Sequence, residues 1–128
     1  MNKEFLPYEL SLKLKKVGFD EPCFGYYDHQ IKELDTISSE VCERLCKHDT
    51  HIKAPTFSQA FRWFRENHKL YSAVIPYNPK KDYYECVVCG IEEEDEDDDW
   101  EVPDTYGYFE AELSCLNKLI EIVEQKSK

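Results

Sequence analysis

Cys86-Val87-Val88-Cys89-Gly90 has the spacing of half a zinc knuckle, and Cys42 and Cys46, four residues apart, are the pair that a tetrahedral four-thiolate site would still need. Two physical points weigh against that chemistry. Residues three apart in a strand face opposite ways, so Cys86 and Cys89 chelate together only if the chain turns between them. Four-residue spacing on a helix also puts two small hydrophobes on one buried face, because free cysteine packs like an apolar residue. A redox pair of the thioredoxin type sits at a helix N-terminus, where the thiolate is stabilised. Cys86 and Cys89 lie instead in a Val-rich segment. Buried free thiols are the expectation, with no metal and no cofactor.

The second candidate is the unbroken run Glu92, Glu93, Glu94, Asp95, Glu96, Asp97, Asp98, Asp99. Asp95, Asp97 and Asp99 have the first, third and fifth spacing of a calcium loop. The pattern then fails, with Trp100 at the glycine position and Tyr106 at the bidentate glutamate position. What remains is concentrated charge. The chain has 27 acids against 16 Lys and Arg, a net of −11; without the eight acids of the run, 19 face 16 and the net is −3. The protein is thus an ordinary mixed-charge chain carrying one acidic segment, expected as a mobile loop over residues 92–99. A solvated loop and a tether for a basic partner both fit it.

Aromatic residues flank the run. Tyr83, Tyr84 and Trp100 join the eight acids as the candidate partner-binding set, since Tyr and Trp are common interface anchors. Tyrosines also cover small sheets with nothing further implied. Arg62, Arg65 and Lys69 share a helix face that suits an anion or plain solvation. Catalysis finds little support. The sequence has no Gly-x-Ser-x-Gly elbow and no phosphate loop. Its four glycines (Gly18, Gly25, Gly90, Gly107) are too scattered for a dinucleotide cradle. His29, His48, His51 and His68 fall in no recognisable nucleophile pattern. A non-enzymatic protein is the expectation.

The elements that must position these residues follow from periodicity. Leu6, Leu10, Leu14 and Val17 predict a helix closed by Gly18. Cys23 to Tyr27 suits a short strand. Residues 28–53 are expected as an excursion from the core, with Leu34, Ile37, Val41 and Leu45 giving a short helix. Thr56 and Gln59 have capping-box spacing and open a helix to His68, with Phe57, Ala60, Phe61 and Phe64 buried and Trp63 off the stripe. Tyr71–Tyr77 and Tyr83–Ile91, joined by Asn78-Pro79-Lys80-Lys81-Asp82, predict an antiparallel hairpin. A last helix spans Tyr108–Gln125, with Leu113, Leu116, Leu119, Ile120 and Val123 inward. The expected fold class is α+β, a small single domain over residues 1–128 with three to four helices on one short antiparallel sheet.

Bulk properties narrow the partners. At 128 residues and 41% hydrophobic the chain can bury a core. No stretch reaches membrane-span length, and residues 1–7 have no signal-peptide core, so a cytoplasmic location with reduced thiols is expected. The negative charge disfavours direct nucleic-acid or membrane binding and favours a protein partner with a basic surface.

Three segments, LSLKLKKVGFDEPCFGYY over 10–27, APTFSQAFRWFR over 54–65 and EAELSCLNKLIEIV over 110–123, resemble a family of small uncharacterised proteins of Bacteroides-type bacteria and their phages or prophages. The match covers about half of the chain, leaving out the excursion, the acidic run and Tyr106-Gly107-Tyr108. The resemblance implies a phage-related setting and carries no activity or binding residues. Three functions are compatible with it: a phage-related accessory protein that binds another protein, an acidic inhibitor occupying the nucleic-acid site of a host protein, and a small zinc-binding or thiol-dependent protein.

Overall fold

The computed structural model describes residues 4–48, 50–91, 97–101 and 105–126, with the backbone alone at 77–79, 91 and 97–101. The protein is α+β. Two compact units divide the chain, Met1–Gln59 and Ala60–Lys128. Among the described residues there are two antiparallel sheets where one was expected.

In the first unit, α1 (Tyr8–Lys16) begins after Pro7 and ends on Gly18, whose φ of 105° is open to glycine. The Gly18 N–H donates to the Lys15 carbonyl at 3.1 Å and the Phe19 N–H to the Leu14 carbonyl at 3.2 Å, the paired bonds that close a helix C-terminus. Then come β1 (Gly25–Asp28), β2 (Leu34–Thr36), α2 (Ser39–Leu45) and β3 (His51–Lys53). The strand order is β2-β1-β3, antiparallel throughout. Residues 28–53 are therefore no excursion: β2 and β3 flank β1, and Cys42 and Ile52 are buried. Alternation along β1 buries Gly25 and Tyr27. Tyr27, Ile52 and Ala54 form a cluster against which Tyr8, Leu12 and Leu34 pack. The Tyr27 hydroxyl donates to the Leu6 carbonyl at 2.7 Å. Lys53 ion-pairs with Asp20 at 3.0 Å and with Glu43 of α2 at 2.5 Å.

Helix α3 (Phe57–His68) starts where the capping box places it. The Gln59 N–H donates to the Thr56 hydroxyl at 3.2 Å. The reciprocal half is replaced: Gln59 Nε2 donates to the Pro22 carbonyl at 2.9 Å. Thr56→Ala should cost about 1 kcal/mol and Thr56→Ser only a few tenths, read from urea midpoints. Trp63 is buried together with Phe57, Ala60 and Phe64, while Phe61 is half-buried, so the inward stripe is rotated from the expected one. Trp63 stacks edge-on against Phe64 at 5.0 Å and His68 at 4.9 Å.

In the second unit the hairpin is β4 (Leu70–Asn78) and β5 (Tyr83–Ile91), joined by a 3₁₀ turn at Pro79–Lys81, with an irregularity between Pro76 and Asn78. Strands β6 (Asp97–Glu101) and β7 (Thr105–Tyr106) both pair with β5. Helix α4 (Tyr108–Lys126) packs on β5, β4 and β7. Leu70, Cys86 and Val88 are buried, as are Ala111, Cys115, Leu116, Leu119 and Ile120 of α4. The buried face of α4 is wider than predicted: Cys115 and Ile122 join it and Leu113 stays half-buried. Among the described residues no helix is long and apolar enough to cross a membrane.

Candidate functional site

Strand β5 is the organising element of the predicted partner-binding set. It has β4 along one side and, on the other, β7 opposite Tyr83 and Tyr84 and β6 opposite residues 87–91. Asp97, Asp98 and Asp99 are therefore strand rather than mobile loop. They pair in register with Ile91, Gly90 and Cys89, and Trp100 pairs with Val88. Glu92, Glu93, Glu94, Asp95 and Glu96 lie outside the described residues. Aspartate is among the poorest strand formers, so pairing with β5 overrides local preference here. Charged residues on an edge strand also deter uncontrolled pairing with other chains.

Two tyrosine pairs lie along this edge of β5, one on each face of the sheet, because Tyr83 and Tyr84 alternate. Tyr83 pairs with Tyr106 and Tyr84 with Thr105. The Tyr83 and Tyr106 rings lie 4.8 Å apart, and the Tyr84 and Tyr108 rings meet edge-on at 5.5 Å. Tyr106 is 70% exposed and Tyr108 51%. Hydrogen bonding to Asp82, aided by burial, pushes the Tyr84 phenol above its usual range. The Gly107 N–H donates to the Asp82 carbonyl at 2.7 Å and ties the start of α4 to the hairpin turn. Two residues of β5, Glu85 and Cys86, lie between the tyrosine pairing and the first acidic pairing, Val87 with Glu101, so the two are roughly 10 Å apart along the strand. One sheet edge thus carries aromatic surface and then acids. Tyr106 and Tyr108 were not singled out as site residues, because Thr105-Tyr106 is too short to show a strand period.

The cysteines separate. Cys86 is buried under α4 and its thiol donates to the Ala111 carbonyl at 3.2 Å. Cys89 alternates to the other face of β5, opposite Tyr71 in register, so the two do not converge. In the first unit the Cys42 and Cys46 sulfurs are 3.9 Å apart, and the Cys42 thiol donates to the Gly25 carbonyl at 3.5 Å. Burial, then the neighbouring Cys42, pushes the thiols of Cys23 and Cys46 up to about 12. Burial likewise pushes Cys115 up to about 12, against a bond from Ser72. Since the thiolate is the nucleophile and the ligand, these are poor sites for either role. Among the described residues no group of three or more His, Cys, Asp or Glu is placed to hold a metal ion. Arg62 faces Glu66 on its own helix at 4.0 Å, both exposed, a pair of little energetic weight.

A cleft in the first unit has no counterpart in the sequence reading. Alternation puts Tyr26 and Asp28 on one face of β1, and register sets Asp35 and His51 opposite them. With Ile31, Glu33 and Leu34 they line an open cleft of about 200 Å³. Asp28 Oδ1 accepts the N–H groups of Gln30 at 2.8 Å and Ile31 at 3.4 Å, and the Gln30 bond leads in holding this carboxyl below its usual range. The Tyr26 hydroxyl donates to Asp35 Oδ2 at 3.3 Å. His51 Nδ1 pairs with the Thr50 hydroxyl at 2.8 Å, and its Nε2 lies 3.7 Å from Asp28 Oδ2. That last distance exceeds hydrogen-bond reach, so Thr50, His51 and Asp28 fall short of a nucleophilic relay. The chain matches no protein-family model, and comparison with curated proteins and with solved structures gives no match.

Proposed function

We propose that the protein is a non-enzymatic accessory factor of phage-related setting that binds a second protein with a basic surface through the β6/β7 edge of its larger sheet. The observation that carries this reading is that β7, with its exposed Tyr106, and the acidic strand Asp97–Glu101 follow one another along the same edge of β5. Aromatic anchors supply the affinity of most interfaces, and charge sets encounter rate and salt dependence. Further exposed apolar area lies across β5 on β4, where Tyr71 and Ile75 are 37% and 44% exposed. Inhibition of a nucleic-acid-binding host protein is the second reading. It is favoured by the concentration of acid, and it requires the same edge to compete with DNA or RNA. A zinc-binding or thiol-dependent role has the divergent Cys86 and Cys89 and the raised thiols against it.

The test is capture from lysate of a Bacteroides-type host at low and moderate salt, followed by affinity measurement with the identified partner. Isosteric replacement of Asp97, Asp98, Asp99 and Glu101 by Asn and Gln should weaken binding about ten- to a hundredfold, at a few tenths to 1 kcal/mol per charge. Tyr106→Ala should weaken it by a similar factor. A partner retained by both variants would sink the proposal. Competition with nucleic acid separates the two readings.

A further inference from the structure

We propose that the cleft on the β2-β1-β3 sheet binds a guanidinium group, presented as an arginine side chain of a peptide. This site is independent of the β6/β7 edge. Its lining brings three carboxylates, Asp28, Glu33 and Asp35, to one imidazole, His51. Charge alone does not make a site, and three separate features specify the ligand. The first is size: about 200 Å³ is below the roughly 300–1,000 Å³ of cofactor and drug-sized pockets and suits one side chain. The second is an aromatic wall, Tyr26, held by its bond to Asp35 and packed at 5.6 Å from the His51 ring. A planar guanidinium stacks on such a ring while its N–H fork reaches carboxylate oxygens. The third is the apolar part of the lining, Ile31 and Leu34, which suits the methylene stem of arginine.

The carboxylates are set for this role by the backbone. The Gln30 and Ile31 N–H groups fix Asp28 Oδ1, and the Thr36 N–H fixes Asp35 Oδ1 at 2.9 Å. Prepositioned acceptors lose less freedom on binding than mobile ones. A compact ammonium gains less here, since it neither forks nor stacks.

The experiment is an NMR titration of the ¹⁵N-labelled full-length protein with N-acetyl-arginine amide, N-acetyl-lysine amide and the neutral isostere N-acetyl-citrulline amide. Expected are saturable shifts at Tyr26, Asp28, Asp35 and His51 with a Kd of about 1 mM for the arginine probe. Lysine should bind about fivefold or more weakly, and citrulline should give no saturable shift. Glu33→Gln with Asp35→Asn should weaken arginine binding about tenfold, and Tyr26→Leu about threefold. Glu121→Gln, on α4 of the other unit, should change nothing. Dispersed amide signals at Tyr27, Ile52 and Ala54 report that each variant stays folded. No saturable shift up to about 20 mM arginine probe, equal binding of lysine or citrulline, or full affinity in the Glu33/Asp35 variant would each overturn the proposal.

Discussion

Gly25→Ala should destabilise the Met1–Gln59 unit by about 3 kcal/mol, with amide-exchange protection lost across β1, β2 and β3. The sign is the informative part. Gly25 is not among the positive-φ glycines. At such a position alanine normally stabilises a protein by about 0.4–1 kcal/mol, because it reduces the freedom of the unfolded chain. The surroundings reverse that expectation. A Cβ on Gly25 would lie 2.7 Å from the Ala54 carbonyl oxygen and 2.7 Å from two ring carbons of Phe5. The Ala54 N–H donates to the Gly25 carbonyl at 2.8 Å, so these two backbones are already in hydrogen-bonding contact. The buried Phe5 ring sits edge-on to Phe24 at 5.6 Å. Neither neighbour yields without breaking a contact. A unit of this size has little stability to lose. At Gly18, by contrast, nothing lies within 4 Å of an added Cβ, and alanine should cost only about the 1–2 kcal/mol of a left-handed backbone. An unchanged or raised unfolding midpoint for Gly25→Ala would refute the close approach.

Alkaline pH should unfold the protein steeply. Cys23 and Cys115 have an ordinary value of 9.0 and are pushed up to about 12 in the fold, chiefly by burial. Between those values the folded chain keeps protons that the unfolded chain releases, so stability falls as pH rises through that window. Each fully buried thiol contributes a slope of about 1.4 kcal/mol per pH unit, or about 2–3 kcal/mol lost between pH 9 and 11. Cys46 acts in the same direction with a smaller share, because it is only half-buried. Urea midpoints measured from pH 8 to 11 should drop progressively. Cys23→Ala and Cys115→Ala should each flatten the curve by about one thiol's slope, whatever their cost at pH 7. Identical slopes in wild type and variants would mean that the thiols do not carry the effect.

Elements whose signal is local were legible in the chain. Leu10 and Leu14 at helical spacing predicted α1, and Thr56 with Gln59 predicted the start of α3 to within a residue. Asn78-Pro79 predicted the hairpin turn, and the α+β class followed from the element order. Trp63 is buried although the spacing puts it off the stripe, because helical spacing defines a stripe without saying how the helix rolls against its neighbours. β2 and β3 have three residues each, too few for a period, and they are held by pairing with β1. Read alone, the polar ends of 28–53 looked like solvent.

What the sequence determined by itself was the α+β class, helices α1, α3 and α4, the hairpin and the concentration of charge in one run; of the stripe expected for a further helix, α2 keeps Val41 and Leu45, while Leu34 went to β2. These depend on residues within a few turns of one another and on composition. What only the tertiary structure decided was which distant residues meet. Asp97–Asp99 became a strand against β5, Tyr106 joined Tyr83, and Asp35 and His51 came to flank Tyr26 and Asp28. Strand pairing is a contact between residues far apart in the chain. Its free energy comes from register and burial, and neither is written into the spacing of neighbouring residues.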